Sequence, residues 1–224
     1  MAWNLLPCAI VSLPGAASHA GFDDADVAVL RAVFGDAVRA FDREAVDYVL
    51  IGGQASAVHG RPRASGDVDL LVTPQDARRA LTALADAGFA TEETNPHWLF
   101  KAVKDGVLVD LLFKMKGDIY LDAEMLGRAA AHKVAGHMVR VIPREDLIVV
   151  KALAHDEETP RHWFDALGII AGGGLDWDYL VRRAAKGPRR VLSLLLYATS
   201  VDLVVPTTVI GRLHEAAFPI PEAT

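Results

Sequence analysis

Two aspartates one residue apart, Asp67 and Asp69, follow a pair of adjacent glycines in the stretch that begins at Gly52. Side chains alternate between the two faces of a strand, so these two acids should point to the same side. Two carboxylates that close repel each other unless a cation lies between them. Oxygen ligands of this kind suit Mg²⁺, which usually keeps several waters and shares the phosphates of a substrate. The pattern therefore predicts a magnesium site beside a glycine turn of the kind that binds phosphate.

A third acid, Asp110, is the one charged residue in the apolar segment from Val107 to Leu112. A buried ionised carboxylate is costly without a partner, so a cation or a nearby base should face it. The alternative is an edge strand on which Asp110 meets water. A phosphate-binding turn with three acids on strands is what phosphoryl or nucleotidyl transfer requires, because metals bridge the acids and the phosphates. Glycosidases also use paired carboxylates, but they do not need the glycine turn.

The elements that must position these residues alternate between helix and strand up to about residue 143. Hydrophobic spacing predicts helices over 23–45, 54–59 and 74–87, and strands over 47–51, 67–72, 97–104, 107–114 and 139–142. The dipeptide Asp105-Gly106 predicts a two-residue hairpin turn between two of those strands. Only helices are predicted after residue 143, over 145–155, 161–171, 176–186, 188–202 and 206–217.

These elements predict an α/β (α+β) chain, in which a mixed sheet flanked by helices is followed by a C-terminal helical bundle. The division is an apolar N-terminal extension over 1–22, a core over 23–143, a helical domain over 144–218 and a tail over 219–224. The apolar extension lacks the basic start of a signal peptide.

Composition limits the classes of function that are open to the chain. Its 224 residues carry a net charge of −6, so a strong overall positive field for gripping nucleic acid is missing. Cys8 is the only cysteine, which excludes an intrachain disulfide framework and a thiolate metal site. No apolar run reaches the length of a transmembrane helix. We therefore expect a cytoplasmic protein without a membrane partner.

The glycine pair and the later acids resemble the nucleotidyltransferases of the DNA polymerase β type. A longer string resembles the AbiEii/MenT branch of toxin nucleotidyltransferases, and it is matched by Gly52, Gly53, Ala55, His59, Gly60, Arg63, Ser65, Asp67 and Asp69. The segment from Pro143 to Lys151 and the pair Arg161 and Asp165 are similar to later segments of that branch. Antibiotic-modifying nucleotidyltransferases share a similar glycine and Asp-x-Asp core.

The resemblance implies a nucleotidyltransferase fold over the core and a role for each matched residue. It implies catalysis by Asp67, Asp69, Asp110 and Lys151, and binding of two Mg²⁺ ions, or of Mn²⁺, by the three aspartates. Nucleotide binding is implied for Gly52, Gly53, Ser56, Arg63, Ser65, Lys151 and Asp165. Other interpretations stay open for three of these: Arg63 as a surface ion pair, Lys151 extended to solvent, and Asp165 as a plain helix-surface acid.

The predicted function is transfer of a nucleoside monophosphate from an NTP, such as ATP, to an acceptor hydroxyl with release of pyrophosphate. In the toxin branch the acceptor is the 3′ end of a tRNA, and the resemblance then implies a cognate antitoxin protein. A basic cluster could meet the RNA backbone, and it consists of Arg182, Arg183, Lys186, Arg189 and Arg190. The alternatives are a small-molecule acceptor such as an aminoglycoside or lincosamide, and a nucleotide-binding module that has lost catalysis.

Overall fold

A mixed sheet of seven strands forms the centre of the molecule within residues 24–219, which are the residues that the computed structural model describes. Predictions for 1–22 and for the tail beyond 219 lie outside them. The strands are β1 (Tyr48–Leu50), β2 (Val68–Val72), β3 (Ala90–Asn95), β4 (Leu99–Lys104), β5 (Val107–Leu112), β6 (Ala130–Val134) and β7 (His137–Val141). Their order is β3-β4-β5-β2-β1-β7-β6. The pairs β2–β5 and β1–β7 are parallel and the others antiparallel, which confirms the predicted mixed sheet.

Nine helices flank or follow this sheet in the described part of the chain. Four lie among the strands: α1 (Asp24–Arg43), α2 (Gly52–Val58), α3 (Ala77–Asp86) and α4 (Ala123–Arg128). The other five come after β7: α5 (Arg144–Ala154), α6 (Arg161–Ala171), α7 (Trp177–Ala184), α8 (Pro188–Ser200) and α9 (Thr207–Ala217). The division of the chain near residue 143 falls between β7 and α5, and it stays a prediction.

One face of the sheet packs against α1 and α3, which contact each other and the central strands. Alternate residues of β5, Val109 and Leu111, are fully buried on that face. The residues between them, including Asp110, point to the other face, because side chains alternate along a strand. β5 lies inside the sheet between β4 and β2, so the interpretation of Asp110 as an edge-strand residue is wrong.

Most helices and strands were predicted where the hydrophobic pattern is strong, and those with a weak pattern were missed. The prediction for α6 is confirmed at both ends, and those for α1, α5 and α8 are confirmed to within two residues. Three elements had not been predicted: β3, β6 and α4. Strand β3 is nearly all exposed at the edge of the sheet, so it has no buried face to produce an alternating pattern.

Most members of the predicted basic cluster have hydrogen-bond or ion-pair partners within the chain. Arg182 forms an ion pair with Glu124, and Arg183 pairs with Asp122 and Asp146. Two further arginines donate to backbone carbonyls, Arg189 to Ala217 and Arg190 to His155. Four of its members therefore have partners within the chain, but Arg182, Lys186, Arg189 and Arg190 are exposed, so contact with an RNA backbone stays a prediction.

Candidate active site

The glycine turn lies between β1 and β2 and fits closely around one of the predicted acids. α2 begins at Gly52 itself, earlier than predicted, and Gly52 has a φ of +68°, which favours glycine. A Cβ atom at Gly52 would lie 1.8 Å from Oδ2 of Asp69. The backbone N–H of Gly53 donates to the same carboxylate. Any side chain at Gly52 would therefore displace Asp69.

Gly53 makes room for two other predicted residues. A Cβ atom at Gly53 would lie 2.6 Å from Nη2 of Arg63 and 2.6 Å from Oγ of Ser65. The turn therefore brings Asp69, Arg63 and Ser65 against its backbone, although the sequence spacing suggested only that the turn would approach phosphate.

We expect Gly52→Ala to destabilise the fold and to impair the site. The positive φ alone costs a non-glycine residue roughly 1–3 kcal/mol, and displacement of a reacting group by about 1 Å can cost about 10²-fold in rate. Urea unfolding and the rate of nucleotidyl transfer measure the two effects. Gly106→Ala is the matched control, because Gly106 has a φ of +79° and an added Cβ would contact nothing within 4 Å. Equal transfer rates for the two variants would contradict the predicted contact with Asp69.

Asp69 and Asp110 lie directly opposite each other on the parallel strands β2 and β5 and on the same face of the sheet. Asp67 is exposed and comes immediately before β2. Removal from water raises the pKa of Asp69, and the charges of Asp110 and Asp67 raise it further, against an opposing effect of Lys151. A further positive charge beside Asp69 would therefore favour its ionised form.

Lys151, Arg63 and Asp165 form a buried charge cluster behind the glycine turn. Nζ of Lys151 donates to Oδ2 of Asp165 at 2.9 Å, and Nε of Arg63 donates to Oδ1 at 3.1 Å. The side chains of Lys151 and Asp165 are 4% and 1% exposed, so neither Lys151 extended to solvent nor Asp165 on the helix surface is correct. Burial alone would raise the pKa of Asp165, but Lys151 and Arg63 outweigh it and lower that pKa.

Ser56 also belongs to this cluster and does not reach the cavity. It is fully buried, and its Oγ lies 2.9 Å from the carbonyl oxygen of Gly52 and 3.3 Å from Oδ2 of Asp165. Its hydroxyl therefore supports the glycine turn and the cluster from behind. This placement differs from the predicted direct contact with phosphate.

Two further residues of the motif connect α2 to later elements. Nε2 of His59 lies 2.6 Å from the carbonyl oxygen of Ile142 at the end of β7. Burial lowers the pKa of His59 to about 4, so the ring is neutral at pH 7 and donates this bond. Gly60 has a φ of +116°, and a Cβ there would lie 3.3 Å from the carbonyl oxygen of Gly168 in α6. Both residues are structural and fix α2 beside the site.

A cavity of about 610 Å³ opens between the glycine turn and α5. Its wall contains Ile51, Gly52, Gly53, Arg63, Ser65, Asp69, His97, Trp98, Leu112, Lys114, Met115, Lys116, Leu147, Val150, Lys151, Ala154 and His162. Among these described residues, four lysine or arginine side chains face a single carboxylate, that of Asp69. The cavity wall therefore carries more basic than acidic side chains, although Lys114 pairs with Asp118, and Arg63 and Lys151 share Asp165.

The family comparison decides between the classes of enzyme that could use such a cavity. Residues 31–184 match the family described as nucleotidyl transferase of unknown function (DUF2204). The chain belongs to this family. It is therefore a nucleotidyltransferase, an enzyme that acts on an NTP and an acceptor substrate.

Solved structures place this DUF2204 chain among nucleotidyltransferase folds. The antibiotic-resistance factor ANT(2″)-Ia superposes with a TM-score of 0.50 and 20% identity, over 84% of this chain and 98% of that one. The lincosamide antibiotic adenylyltransferase LnuA, in its lincomycin-bound form, gives a TM-score of 0.46 and 15% identity, over 63% and 97% of the two chains. A putative nucleotidyltransferase from Thermotoga maritima gives 0.40 and 15%, over 55% and 81%. The first of these likenesses shows a shared fold, and no curated protein matches the chain.

The donor chemistry of this DUF2204 site fits a hard divalent cation. Asp69 and Asp110 offer carboxylate oxygens side by side, and a cation between them would offset the burial and the repulsion that raise the pKa of Asp69. Within residues 24–219, however, no three His, Cys, Asp or Glu side chains are already grouped to hold a metal ion. Metal ligation by Asp67, Asp69 and Asp110 therefore stays a prediction.

Several residues of the DUF2204 site were missed by sequence reasoning. His97 and Trp98 come from the turn between β3 and β4, and Lys114 and Lys116 follow β5. Trp98 is 40% exposed and lines the cavity. Lys101 was also missed, although it forms an ion pair with Asp110 at 2.7 Å.

His162 was missed as well, and it borders the buried charge cluster. Its Nδ1 lies 3.5 Å from Nζ of Lys151. Burial, together with the charge of Lys151, lowers the pKa of His162 to about 4, so the ring is neutral at pH 7 and adds no charge.

Proposed function

We propose that the enzyme transfers a nucleoside monophosphate from an NTP to a hydroxyl of an anionic acceptor, the 3′ end of a tRNA, and releases pyrophosphate. The observation that carries this proposal is the set of four basic side chains in the cavity wall, Arg63, Lys114, Lys116 and Lys151, which share that wall with the one carboxylate of Asp69. A triphosphate and an RNA end both bring negative charge, which these cations can neutralise. The resemblance to the AbiEii/MenT toxins supports the choice of tRNA.

The cationic residues would bind and orient the triphosphate. Arg63 and Lys151 line the cavity while Asp165 holds both from behind, which leaves their remaining N–H groups free to donate to phosphate oxygens. Ser65 lies beside Arg63 and offers a hydroxyl at the same turn. Because the cluster is buried, its side chains are held in place before substrate arrives, which reduces the cost of ordering them.

Asp110 would receive the proton of the attacking hydroxyl. In the transfer, a bond forms between the acceptor oxygen and the α-phosphorus, and the bond from that phosphorus to the β-phosphate oxygen breaks. Two Mg²⁺ ions, with Mn²⁺ as a substitute, would be held by Asp67, Asp69 and Asp110 and would neutralise the charge of the triphosphate. The cavity residues Leu147, Val150 and Ala154 limit the access of water, which would otherwise compete with the acceptor.

A small-molecule acceptor is the second candidate, and the fold shared with an antibiotic-resistance factor favours it. The apolar part of the wall, which includes Trp98, Leu112 and Met115, could pack against an uncharged ring system. An aminoglycoside fits poorly, because it is cationic and the cavity wall carries more basic than acidic side chains. The net charge of the chain had favoured a cationic drug, but the local charge of the cavity opposes it.

The test is incubation of the purified chain with each NTP labelled at the α-phosphate, with Mg²⁺ or Mn²⁺, and with total tRNA, an aminoglycoside or a lincosamide. We expect label on tRNA from the NTP labelled at the α-phosphate, and no label on tRNA from an NTP labelled at the γ-phosphate. Label on a drug alone would establish the second candidate. Label on no acceptor, with Asp69→Asn indistinguishable from wild type, would contradict the proposed transfer. If tRNA is the acceptor, co-expression with a cognate antitoxin should suppress labelling.

The two lysines after β5 give a sharper test of an anionic acceptor. We expect Lys114→Ala combined with Lys116→Ala to raise the KM for tRNA roughly 10-fold and to make it less dependent on salt, because each phosphate contact contributes to the salt slope. Lys133→Ala is the control, since Lys133 is exposed on β6 and is not in the cavity wall. An unchanged KM and salt slope in the double variant would oppose an RNA acceptor at this wall.

A further inference from the structure

A row of four charged side chains, three acids and one lysine, crosses the sheet beside the cavity. Glu92 on β3 lies opposite Lys101 on β4, Lys101 lies opposite Asp110 on β5, and Asp110 lies opposite Asp69 on β2. Residues directly opposite each other in neighbouring strands project to the same face. Lys101 is therefore flanked by two acids, one that belongs to the predicted metal site and one that does not.

The ion pair between Lys101 and Asp110 is partly shielded from water. Nζ of Lys101 lies 2.7 Å from Oδ1 of Asp110, and the two side chains are 31% and 22% exposed. Among the ion pairs of residues 24–219, none involves Asp67 or Asp69. The charge of Lys101 is thus directed at one acid of the three, the one expected to receive the proton.

We propose that Lys101 is a built-in counter-ion of the metal site, which neutralises Asp110 before a divalent cation binds and releases that carboxylate when it binds. This inference rests on the proposed function, because it assumes that Asp110 is a metal ligand. An ammonium that donates to Oδ1 competes with a metal for the same lone pairs, and its charge repels the metal. Lys101 therefore lowers the metal affinity of the site.

Glu92 offers the place to which Lys101 can move. It is exposed on the neighbouring strand, directly opposite Lys101. The lysine ammonium is a compact charge on a flexible stem, so it can exchange one carboxylate for another without movement of the backbone. An arginine would hold Asp110 more rigidly, because its planar group can pair with both carboxylate oxygens. The row therefore provides the two positions that such an exchange needs.

A titration of the full chain with Mn²⁺, without nucleotide, tests this role. The electron paramagnetic resonance signal of free Mn²⁺ measures how much of the ion is bound. We expect Lys101→Met to bind Mn²⁺ roughly 5-fold more tightly than wild type, as loss of a partly exposed competing charge would give. Glu92→Gln should bind Mn²⁺ more weakly than wild type, because Lys101 then has no alternative partner. The Mg²⁺ concentration for half-maximal activity should therefore fall in Lys101→Met and rise in Glu92→Gln.

Lys104→Met is the matched control. Lys104 lies on the same strand, but it points to the opposite face and pairs with Asp36 of α1, so its loss should leave Mn²⁺ affinity unchanged. Equal or weaker binding by Lys101→Met would overturn the proposal, and weaker binding would mean that Lys101 orients Asp110 for the metal. Lys101→Gln serves as a second uncharged variant if the methionine variant does not fold. Failure of the proposed function would be distinct, because wild type itself would then bind no Mn²⁺ or transfer no label.

Discussion

Replacing Asp69 with asparagine is expected to reduce nucleotidyl transfer by about 10³-fold or more without lowering the free energy of unfolding. A carboxylate that helps to neutralise a transferring phosphoryl group is worth several kcal/mol in the transition state, and each ~1.4 kcal/mol is a factor of ten in rate. Asparagine keeps the shape of the side chain and can still accept the N–H of Gly53. Activity and stability should therefore separate.

The direction of the stability effect follows from the pKa of Asp69. Burial and the charges of Asp110 and Asp67 raise that pKa above its ordinary value of 3.8. A carboxyl whose pKa is raised by folding costs stability once it is ionised, so the cost grows as the pH rises above 3.8 and is complete above the folded-state pKa. Asparagine does not ionise, so the variant does not lose this stability. The variant should be as stable as wild type at low pH and more stable near pH 7.

Urea unfolding at pH 4 and pH 7, together with single-turnover transfer, measures both effects of Asp69→Asn. Asp47→Asn is a control, because Asp47 is a well-exposed acid just before β1 and its loss should change neither quantity much. A variant that transfers label at the wild-type rate would remove Asp69 from the catalytic residues. A variant that loses stability at pH 7 would mean that the charge of Asp69 is already compensated within the fold.

The sequence predicted the centre of this site well because local rules determine it. A glycine pair after an apolar strand and two acids at a spacing of two are patterns that require no long-range contact. The hairpin turn at Asp105-Gly106 also predicts a register, and counting outwards from that turn places Lys101 opposite Asp110. The partner of Asp110 could therefore have been found from the sequence.

The rest of the site depends on contacts between residues distant in the chain. Asp165 on α6 meets Arg63, which lies 102 positions earlier, and no local pattern indicates that pairing. Trp98 is missed for a similar reason, because an aromatic residue beside a turn can pack inward or line a cavity. The basic cluster over 182–190 is mostly exposed, as its sequence pattern suggested, but local spacing does not indicate its ion pairs with Glu124, Asp122 and Asp146.

The local charge of the cavity differs from the net charge of the whole chain because the fold distributes acidic and basic side chains unevenly. Asp165 of α6 and Asp110 of β5 lie behind or beside the cavity, whereas Lys114, Lys116 and Arg63 line it together with Asp69. A net charge describes long-range steering and solubility, but a bound phosphate responds to the groups within one Debye length, about 8 Å. This difference is why the acceptor is better argued from the cavity than from composition.

Loss of the acid that holds the buried charge cluster should have the largest effect on stability. We expect Asp165→Asn to lower the free energy of unfolding by about 3–5 kcal/mol, because removal of one partner leaves an uncompensated buried charge. Here the uncompensated charges would be Lys151 and Arg63, which both donate to Asp165. Lys151→Met should cost less than half as much, because Asp165 then keeps Arg63.

The order of Asp165→Asn and Lys151→Met should differ between transfer activity and stability. Lys151→Met is expected to slow transfer by about 10²-fold or more, as loss of one donor to developing charge does. Saturating ATP should raise the Tm of Asp165→Asn more than that of wild type, because the triphosphate can replace the missing carboxylate as counter-ion. Asp178→Asn is the control, since Asp178 is 76% exposed in its pair with Arg212.

A double-mutant cycle measures the interaction between Lys151 and Asp165 separately from the contacts that each makes with other residues. Lys151→Met combined with Asp165→Leu should recover part of the stability lost in Asp165→Leu alone and remain inactive, because buried ion pairs replaced by apolar residues are often neutral in stability. Urea unfolding of the four proteins gives the coupling energy. Additive effects, with no extra stabilisation of Asp165→Asn by ATP, would mean that Lys151 and Asp165 act independently and that the cluster does not face the triphosphate.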